Sequence, residues 1–212
     1  MKLLEDLFMV TPRTSRGFTL IEVMIAVFIV TVGVVLAAPS FSEAIQRRQL
    51  SAGAEEISAL LTYAQSEAVK RNEAITVSWY TPGEHSEQWC IGIIEGDTPC
   101  DCRKTAPGDA NYCAVDGVPY RLQQTDFVDI NFEFMHMNPP VGSFAFDPVR
   151  GIMTNVSSTE VLDGDWLFYL HSNEGSGATR AYELEIWASI TGRVSICADT
   201  YRKSIIGGYP EC

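Results

Sequence analysis

Cysteine is the residue type in this 212-residue chain whose chemistry can be predicted most directly from number and position. An even number of cysteines in an exported protein favours disulfides over free thiols, and six cysteines allow fifteen connectivities. We prefer a bond between Cys197 and Cys212, because it ties an otherwise fraying tail to the last strand and closes a loop worth about 3 kcal/mol in the chain-entropy model. The other four are then expected to pair among themselves: Cys90, Cys100, Cys102 and Cys113.

Metal binding is the competing chemistry for the Cys100-Asp101-Cys102 segment together with Cys113. Structural zinc sites separate paired ligands by two to four residues, and a Cys-x-Cys pair lacks that spacing. The three histidines, His85, His136 and His171, are scattered and do not form a His-Glu-x-x-His motif. The acidic residues of the cysteine loop do not follow the spacing of an EF-hand either. We therefore expect no metal and no cofactor.

Catalytic motifs are the next chemistry to consider. The sequence contains no Gly-x-Ser-x-Gly elbow, no Walker loop and no Gly-x-Gly-x-x-Gly fingerprint. These motifs are typical of nucleophilic and nucleotide-dependent enzymes. The sequence therefore predicts a protein that is not an enzyme.

Glu22 is the one formally charged residue between Arg16 and Glu43, in a stretch of apolar, small and hydroxylic residues. A charge at the centre of a membrane helix costs about 2.5–3.5 kcal/mol, and less near the interface, so such a residue is a functional candidate by default. Two simpler interpretations are a signal anchor and a cleaved secretory signal with its small-residue site near Ala37-Ala38. Neither of them explains Glu22.

The element that positions Glu22 is a membrane-length helix. Residues 18–38 would span roughly 32 Å as a helix, enough for the hydrocarbon core of a bilayer. Lys2, Arg13 and Arg16 precede the apolar run. Basic residues before a membrane segment favour a cytoplasmic N-terminus and place the bulk of the chain across the membrane.

The segment Arg16-Gly17-Phe18-Thr19-Leu20-Ile21-Glu22 resembles the class III prepilin signature of type IV pilins and type II secretion pseudopilins. The resemblance implies that residues 1–17 are a leader, that a prepilin peptidase cuts between Gly17 and Phe18, and that the new amine of Phe18 is methylated. It also implies that Glu22 pairs with the N-terminal amine of a neighbouring subunit in a filament. Such a pair would neutralise a charge that is costly to bury alone.

Beyond Pro39 the helical pattern becomes amphipathic, with apolar residues at spacings of three and four, and it is expected to end at Asn72. We predict one helix over residues 18–72, of which 18–40 form the transmembrane or filament-core part; two helices broken at Pro39 are the alternative. From residue 73 the period is two, and about eight antiparallel strands are expected. The predicted fold class is α+β, a long N-terminal helix whose amphipathic half lies across one face of a sheet, as in the ladle-shaped pilins. The predicted strands are Ala74–Tyr80, Trp89–Ile94, Val118–Gln123, Phe127–Phe134, Ser143–Phe146, Trp166–His171, Arg180–Ser189 and Arg193–Cys197.

The order of features in the head, residues 73–212, is similar to the GspH/FimT branch of minor pilins. It has a Trp-Cys-Ile-Gly strand from Trp89, a cysteine-rich loop over residues 90–113, and the segment Phe146-Asp147-Pro148-Val149-Arg150-Gly151. Thr191-Gly192-Arg193-Val194-Ser195-Ile196-Cys197 and a terminal Gly-Tyr-Pro-Glu-Cys follow. Some FimT-like minor pilins bind DNA through a Gly-Arg-x-Arg motif, and this chain keeps Gly192 and Arg193 but has Ser195 at the second arginine position.

Net charge limits nucleic-acid binding. The chain has 15 Lys+Arg against 27 Asp+Glu, a formal net charge of −12. Arg193, Arg202 and Lys203 are candidate DNA contacts, but two or three phosphate contacts give only weak, salt-sensitive binding. Nucleic acid is therefore the less favoured partner, after other pilins or pseudopilins, the prepilin peptidase and the inner membrane.

Three functions follow from the sequence. The first is a minor pilin that initiates or assembles a type IV pilus, the second is a type II secretion pseudopilin, and the third is a DNA receptor at a pilus tip. All three place the protein first in the bacterial inner membrane, with a periplasmic head, and then in a pilus or pseudopilus.

Overall fold

The computed structural model describes residues 17–81, 88–127, 130–135, 142–158, 160–162, 164–173, 180–199 and 206–212. Residues 1–16 of the expected leader, two of the histidines, and Arg202 and Lys203 lie outside these ranges. The chain divides into two compact units, Met1–Ser42 and Glu43–Cys212. A single helix, α1, runs from Leu20 to Arg71, and it is not divided at Pro39.

Both ends of α1 carry sequence-encoded caps. At the start, Thr19 accepts hydrogen bonds from the amides of the first turn, as Ser and Thr commonly do before a helix. At the end, Asn72 has φ +54°, and the amide of Glu73 donates to the carbonyl of Ala68 while that of Asn72 donates to Val69. This pair of bonds is a Schellman motif, which places Asn in the left-handed position that it tolerates better than most residues.

The part of α1 within the second unit is amphipathic. Side chains three or four positions apart are completely buried on one face, and polar residues occupy the other. This spacing puts the buried side chains in one stripe against the core of the head. They are Leu50, Ala54, Ile57, Leu61, Ala64 and Ala68.

Eleven strands follow α1 in the described part of the chain, together with a short 3-10 turn over Gln124–Asp126. The strands are β1 (Ile75–Tyr80), β2 (Cys90–Glu95), β3 (Ala114–Val115), β4 (Val118–Pro119), β5 (Arg121–Gln123), β6 (Ile130–Met135), β7 (Ser143–Phe146), β8 (Met153–Thr154), β9 (Trp166–Asn173), β10 (Arg180–Ala188) and β11 (Val194–Ala198).

The strands form two main antiparallel sheets and one small hairpin. The first sheet has the order β5-β2-β1-β7-β8, the second has the order β11-β10-β9-β6, and β3 pairs with β4. The α+β class expected from the sequence is confirmed. The expectation of one sheet is wrong, because β6 pairs with β9 and, together with β10 and β11, forms a ladder separate from β5-β2-β1-β7-β8.

Aromatic side chains fill the space between the two sheets and join them. The Trp89 ring, just before β2, stacks on Phe132 of β6 with centroids 5.3 Å apart, and Phe132 stacks on Phe168 of β9 at 5.6 Å. Phe168 meets Trp79 of β1 edge-on at 5.7 Å. The indole N–H of Trp89 donates to the Ile130 carbonyl, so the polar atom of this buried ring is satisfied. This chain of rings is the centre of the head core.

Three local differences from the predicted strands have physical causes. The expected strand Val118–Gln123 is divided into β4 and β5, since Pro119 has no amide to donate and Tyr120 bonds instead to Cys113 and Ile93. The expected strand Phe127–Phe134 begins later, at Ile130. Two short strands, β3 and β8, were not predicted because two-residue pairings leave no detectable period.

Candidate functional site

The N-terminal segment places Gly17 and Phe18 ahead of the helix. The amide of Glu22 donates to the Thr19 hydroxyl oxygen at 3.3 Å and to its carbonyl at 3.1 Å, so Thr19 caps α1. The bond between Gly17 and Phe18 therefore lies ahead of α1, in residues without regular secondary structure and outside the helical hydrogen bonds. Glu22 sits in the first turn, where a carboxylate interacts favourably with the helix dipole.

The apolar run over residues 18–37, which includes the first part of α1, is exposed. Every side chain there is exposed, from Phe18 at 81% to Val32 at 44%. Thr31 is a polar residue in this run, and its hydroxyl donates to the Val27 carbonyl at 2.7 Å, which removes most of its cost in an apolar medium. Within the described residues, α1 is the helix long and apolar enough to cross a membrane.

The cysteines form three disulfides. Cys197 is bonded to Cys212, the pairing preferred from the sequence, and the four cysteines of the loop pair as Cys90–Cys102 and Cys100–Cys113. The two loop bonds interleave along the chain, which sequence alone could not choose. No cysteine thiol is left over, so the alternative zinc site at Cys100 and Cys102 would first require reduction of both loop bonds.

The C-terminal tail is held by more than its disulfide. The Ala198 amide donates to the Pro210 carbonyl at 2.8 Å, and the Cys212 amide donates back to the Ala198 carbonyl at 3.2 Å. The tail thus forms a short parallel bridge along β11. Tyr209 also donates its hydroxyl to Glu55 of α1 at 2.8 Å, and burial raises the pKa of that tyrosine.

The acidic character of the cysteine loop is partly neutralised. Arg103 donates two hydrogen bonds to Asp101, at 2.8 and 2.9 Å, and its guanidinium lies 4.4 Å from the centre of the Tyr80 ring. The Arg103 side chain holds the pKa of Asp101 below its usual range. The loop is therefore a structured, internally paired surface, and it lacks the convergent carboxylates of a calcium site.

Arg71, in the last turn of α1, joins three acidic groups. Its guanidinium donates to Glu67 at 2.6 Å, to Glu95 of β2 at 2.9 Å, and to Asp116 in the β3–β4 turn. Glu67 is almost fully buried, and hydrogen bonds from Lys70 and Arg71 lower its pKa. This network ties the end of the helix to β2 and to the hairpin.

Gln65 of α1 brings together the two head segments that carry the family resemblance. Its amide nitrogen donates to the Gly151 carbonyl at 2.8 Å and to the Thr191 carbonyl at 3.2 Å. The turns containing Arg150 and Arg193 are therefore neighbours, although 40 residues separate them in the sequence. This role of Gln65 was not predictable from the sequence, since one polar residue on a helix gives no signal of which distant carbonyls it will meet.

Among the described residues, one cluster of possible metal ligands contains no disulfide-bonded cysteine, and it consists of three carboxylates. Oxygens of Glu183, Glu185 and Asp199 lie within 4.8 Å of one another. Burial raises the pKa of Glu185, and its carboxylate accepts a hydrogen bond from the Trp187 indole at 2.9 Å. One oxygen of Glu185 therefore already has a hydrogen-bond partner within the head. His171, the one histidine described, is fully buried and is paired in register with Glu183.

Comparisons with known proteins point to one family. The model of the type II transport protein GspH matches residues 53–184, and the prokaryotic N-terminal methylation motif matches residues 12–38. A fimbrial protein of Pseudomonas aeruginosa is 34% identical over 83 residues, 39% of this chain and 51% of the relative. The type IV major fimbrial protein FimA of Dichelobacter nodosus is 31% identical over 106 residues, 48% of this chain and 65% of the relative. The match thus spans about half to two thirds of the length of these curated relatives.

Two crystal structures of the type IV minor pilin FimU of Pseudomonas aeruginosa also resemble the chain. One is 18% identical with a TM-score of 0.38 and covers 69% of this chain and 90% of that one. The other is 17% identical with a TM-score of 0.41 and covers 75% and 93%. The match to the GspH model covers more than half of the sequence, and the methylation motif covers the segment around Gly17 and Phe18. The chain therefore belongs to the family of the type II transport protein GspH and is a type IV pilin-like protein with a prepilin N-terminal methylation motif.

Proposed function

We propose that the protein is a minor pilin, a structural subunit that helps to initiate or assemble a type IV pilus. The observation that carries this proposal is the exposed apolar surface of residues 18–37, which lies within the N-terminal methylation motif matched over residues 12–38. A continuous apolar surface of this size is stable only in lipid or against other apolar helices. The head has a complete core of its own, so the exposed helix surface is left for assembly.

Processing by the prepilin peptidase fits the local geometry. We place the cut between Gly17 and Phe18, in the non-helical residues that precede Thr19, so cleavage breaks none of the helical hydrogen bonds. The product carries a cationic amine on Phe18, which becomes N-methylated. In an assembled fibre that amine neutralises Glu22 of a neighbouring subunit, and the pair removes most of the cost of a lone buried carboxylate.

Topology follows from the charges before the helix. Lys2, Arg13 and Arg16 keep the N-terminus in the cytoplasm, and the head folds in the periplasm. That compartment is oxidising, which agrees with three disulfides and no free thiol in the head. After cleavage the subunit leaves the bilayer for the fibre, so its final location is a cell-surface pilus or a periplasmic pseudopilus.

The family description supports a second candidate, a type II secretion pseudopilin of the GspH type. Pilus and pseudopilus subunits use the same N-terminal segment, and the two functions differ in their partner proteins. Purification of the assembled fibre from the native cell separates them. Co-purification with major pilin supports the pilus, and co-purification with secretion pseudopilins supports the alternative.

A third candidate, a DNA receptor, rests on Arg193 alone among the described candidate contacts. Its side chain is exposed, but the head around it is acidic. A gel shift with the purified protein and duplex DNA at 50 mM salt tests this candidate. Binding that is lost in Arg193→Ala would support it, and no shift would exclude it.

The processing and assembly steps are tested separately in cells. Replacement of Gly17 by leucine should leave full-length precursor in the inner membrane. Glu22→Ala should be cleaved normally but should be depleted from sheared fibres, whereas the matched control Glu43→Ala should assemble like the wild type. Intact mass of the mature protein reports loss of residues 1–17, the added methyl group and the three disulfides together. Normal incorporation of Glu22→Ala would show that neutralisation of Glu22 does not drive assembly.

A further inference from the structure

Two turns of the head are held together by hydrogen bonds and present a rigid exposed surface. In the first turn, the Asp147 carboxylate accepts hydrogen bonds from the amides of Val149 at 3.0 Å and Arg150 at 2.7 Å. The Gly151 amide donates to the Asp147 carbonyl at 2.9 Å. These bonds close the turn on itself, and the Arg150 side chain holds the pKa of Asp147 below its usual range.

The second turn is fixed against the first. The Gly192 amide donates to the Ser189 carbonyl at 2.7 Å, and the Met153 amide, just after the first turn, donates to the Ile190 carbonyl at 2.9 Å. Gln65 bridges the carbonyls of Gly151 and Thr191 from the helix side. The backbones are so close that a Cβ on Gly192 would lie 2.7 Å from the Gly151 oxygen.

The side chains that these turns present are unusual for turns. Val149 is 76% exposed, although polar or glycine residues are the ordinary choice at such a position. Val69 of α1, whose methyl would lie 3.2 Å from a Cβ on Gly151, is 49% exposed. Arg150 and Arg193 are both exposed; Arg150 is paired with Asp147 at 3.3 Å, whereas Arg193 makes no ion pair with another described residue. We call Val69, Val149, Arg150 and Arg193 the turn surface.

We propose that the turn surface is a docking site for an acidic, partly apolar surface on the head of a neighbouring pilin-like subunit. This inference rests on the proposed function, since it names a partner within the same fibre. The net charge of the chain favours such a partner. A chain with a net charge of −12 repels copies of itself and relatives of similar charge, so an acidic neighbour is attracted where exposed cations are presented. The two exposed valines favour protein over nucleic acid, because a phosphate backbone offers them nothing apolar to bury. A rigid surface also loses little entropy on binding.

A photo-crosslinker placed at residue 149 of the full-length chain, in cells that assemble fibres, tests the proposal. We expect an adduct with another chain that carries an N-terminal methylation motif, mapped by mass spectrometry to a segment with Asp or Glu. Arg193→Glu should reduce that adduct at least tenfold. The control Lys104→Glu makes the same change of charge at another exposed loop position and should leave it unchanged. An Asp→Lys or Glu→Lys change in the mapped segment should restore the adduct of Arg193→Glu.

Several results would overturn the proposal. They are the absence of an adduct, an adduct that Arg193→Glu does not reduce, or an adduct with DNA in place of a pilin-like chain. The fibre fraction separates this failure from failure of the proposed function. If the chain is present in sheared fibres but gives no adduct, only the docking site is wrong; if the chain is absent from fibres of every kind, the proposed function is wrong as well. Unchanged near-ultraviolet circular dichroism of each variant shows that the head is folded.

Discussion

The substitution Gly192→Ala tests how closely the two head turns are packed against each other. Gly192 has φ +80°, a conformation that favours glycine, and a Cβ there would overlap the Gln65 amide nitrogen and lie 2.7 Å from the Gly151 carbonyl oxygen. The substitution therefore introduces two separate penalties. One is backbone strain, and the other is steric overlap in a region that hydrogen bonds hold in place.

The two penalties can be given magnitudes. A non-glycine residue in the left-handed region costs about 1–2 kcal/mol. Overlap with well-packed neighbours adds about 1–3 kcal/mol. The sum, about 2–5 kcal/mol, lowers the melting temperature of a domain of this size by roughly 4–20 °C. Gly192→Ala is thus expected to be among the more destabilising single-methyl changes in the head.

Two other glycines act as matched controls. Gly96 has φ +89° with open space around its Cβ position, so Gly96→Ala should show the backbone penalty alone, about 1–2 kcal/mol. Gly108 has open space and no left-handed φ, so Gly108→Ala should change stability by less than about 0.5 kcal/mol. The double variant Gln65→Ala/Gly192→Ala removes one of the two overlaps of Gly192→Ala and keeps the other.

The assay is thermal and chemical unfolding of the full-length chain in detergent, followed by tryptophan fluorescence. All four tryptophans lie in the head, so the signal reports the head and not the membrane helix. Equal stability of Gly192→Ala and Gly96→Ala would refute the reasoning, because it would mean that the overlap is relieved at no cost. It would also weaken the claim that the turn surface is rigid.

Three further predictions use other parts of the head. Cys212→Ala opens a disulfide with a sequence separation of 15 and should lower the free energy of unfolding by about 3 kcal/mol in chemical denaturation. Arg71→Met should make the stability of the head less sensitive to acid. In the wild type, Arg71 lowers the pKa of Asp116 below its ordinary value of 3.8. The stability that this carboxylate contributes is therefore present above pH 3.8 and is lost as pH falls through the lowered pKa. A hydrogen bond with Tyr120 raises the pKa of Tyr63 to about 12, so Tyr63 should be the last tyrosine to ionise as pH rises. In an absorbance titration of Tyr63→Phe, this last step should be missing.

Each of these three has its own contrary result. For the tail disulfide, the contrary result is equal stability of the wild type and Cys212→Ala under oxidising conditions. The double variant Cys197→Ala/Cys212→Ala is the control for the effect of a free thiol. For Arg71→Met, it is an acid limb of the stability profile as steep as that of the wild type. For Tyr63→Phe, it is a wild-type titration in which no tyrosine has its midpoint near pH 12, above the ordinary pKa of 10.

Several element boundaries were predictable from sequence. The strand Ser143–Phe146 has the predicted bounds, and β1 begins one residue after its predicted start. The end of the helix was also predictable, since an Asn after a basic last turn is a local signal. The hairpin at Asp116-Gly117 had a local signal too: an Asp-Gly pair between Val115 and Val118 is typical of a two-residue β-turn, and it was missed.

The remaining features depend on contacts between distant parts of the chain. The division of the strands into two sheets depends on where Trp89, Phe132 and Phe168 stack, and no single segment specifies it. Gln65 and Arg71 look like ordinary polar residues on an amphipathic helix until their partners are brought to them. In the candidate site, the order of residues around Gly17 and Glu22 was enough for a prediction, because that motif is local. The turn surface was not predictable, because two segments 40 residues apart form it.

The parallel bridge between the tail and β11 has a consequence for how the protein matures. Without the tail, β11 would be an edge strand of the second sheet whose backbone amides and carbonyls are unpaired on one side. A strand of another molecule can pair with such an edge. The tail covers the end of that strand at Ala198, and the bond between Cys197 and Cys212 keeps it there. Closing this disulfide therefore removes the end of β11 from the positions at which a strand of another molecule could add.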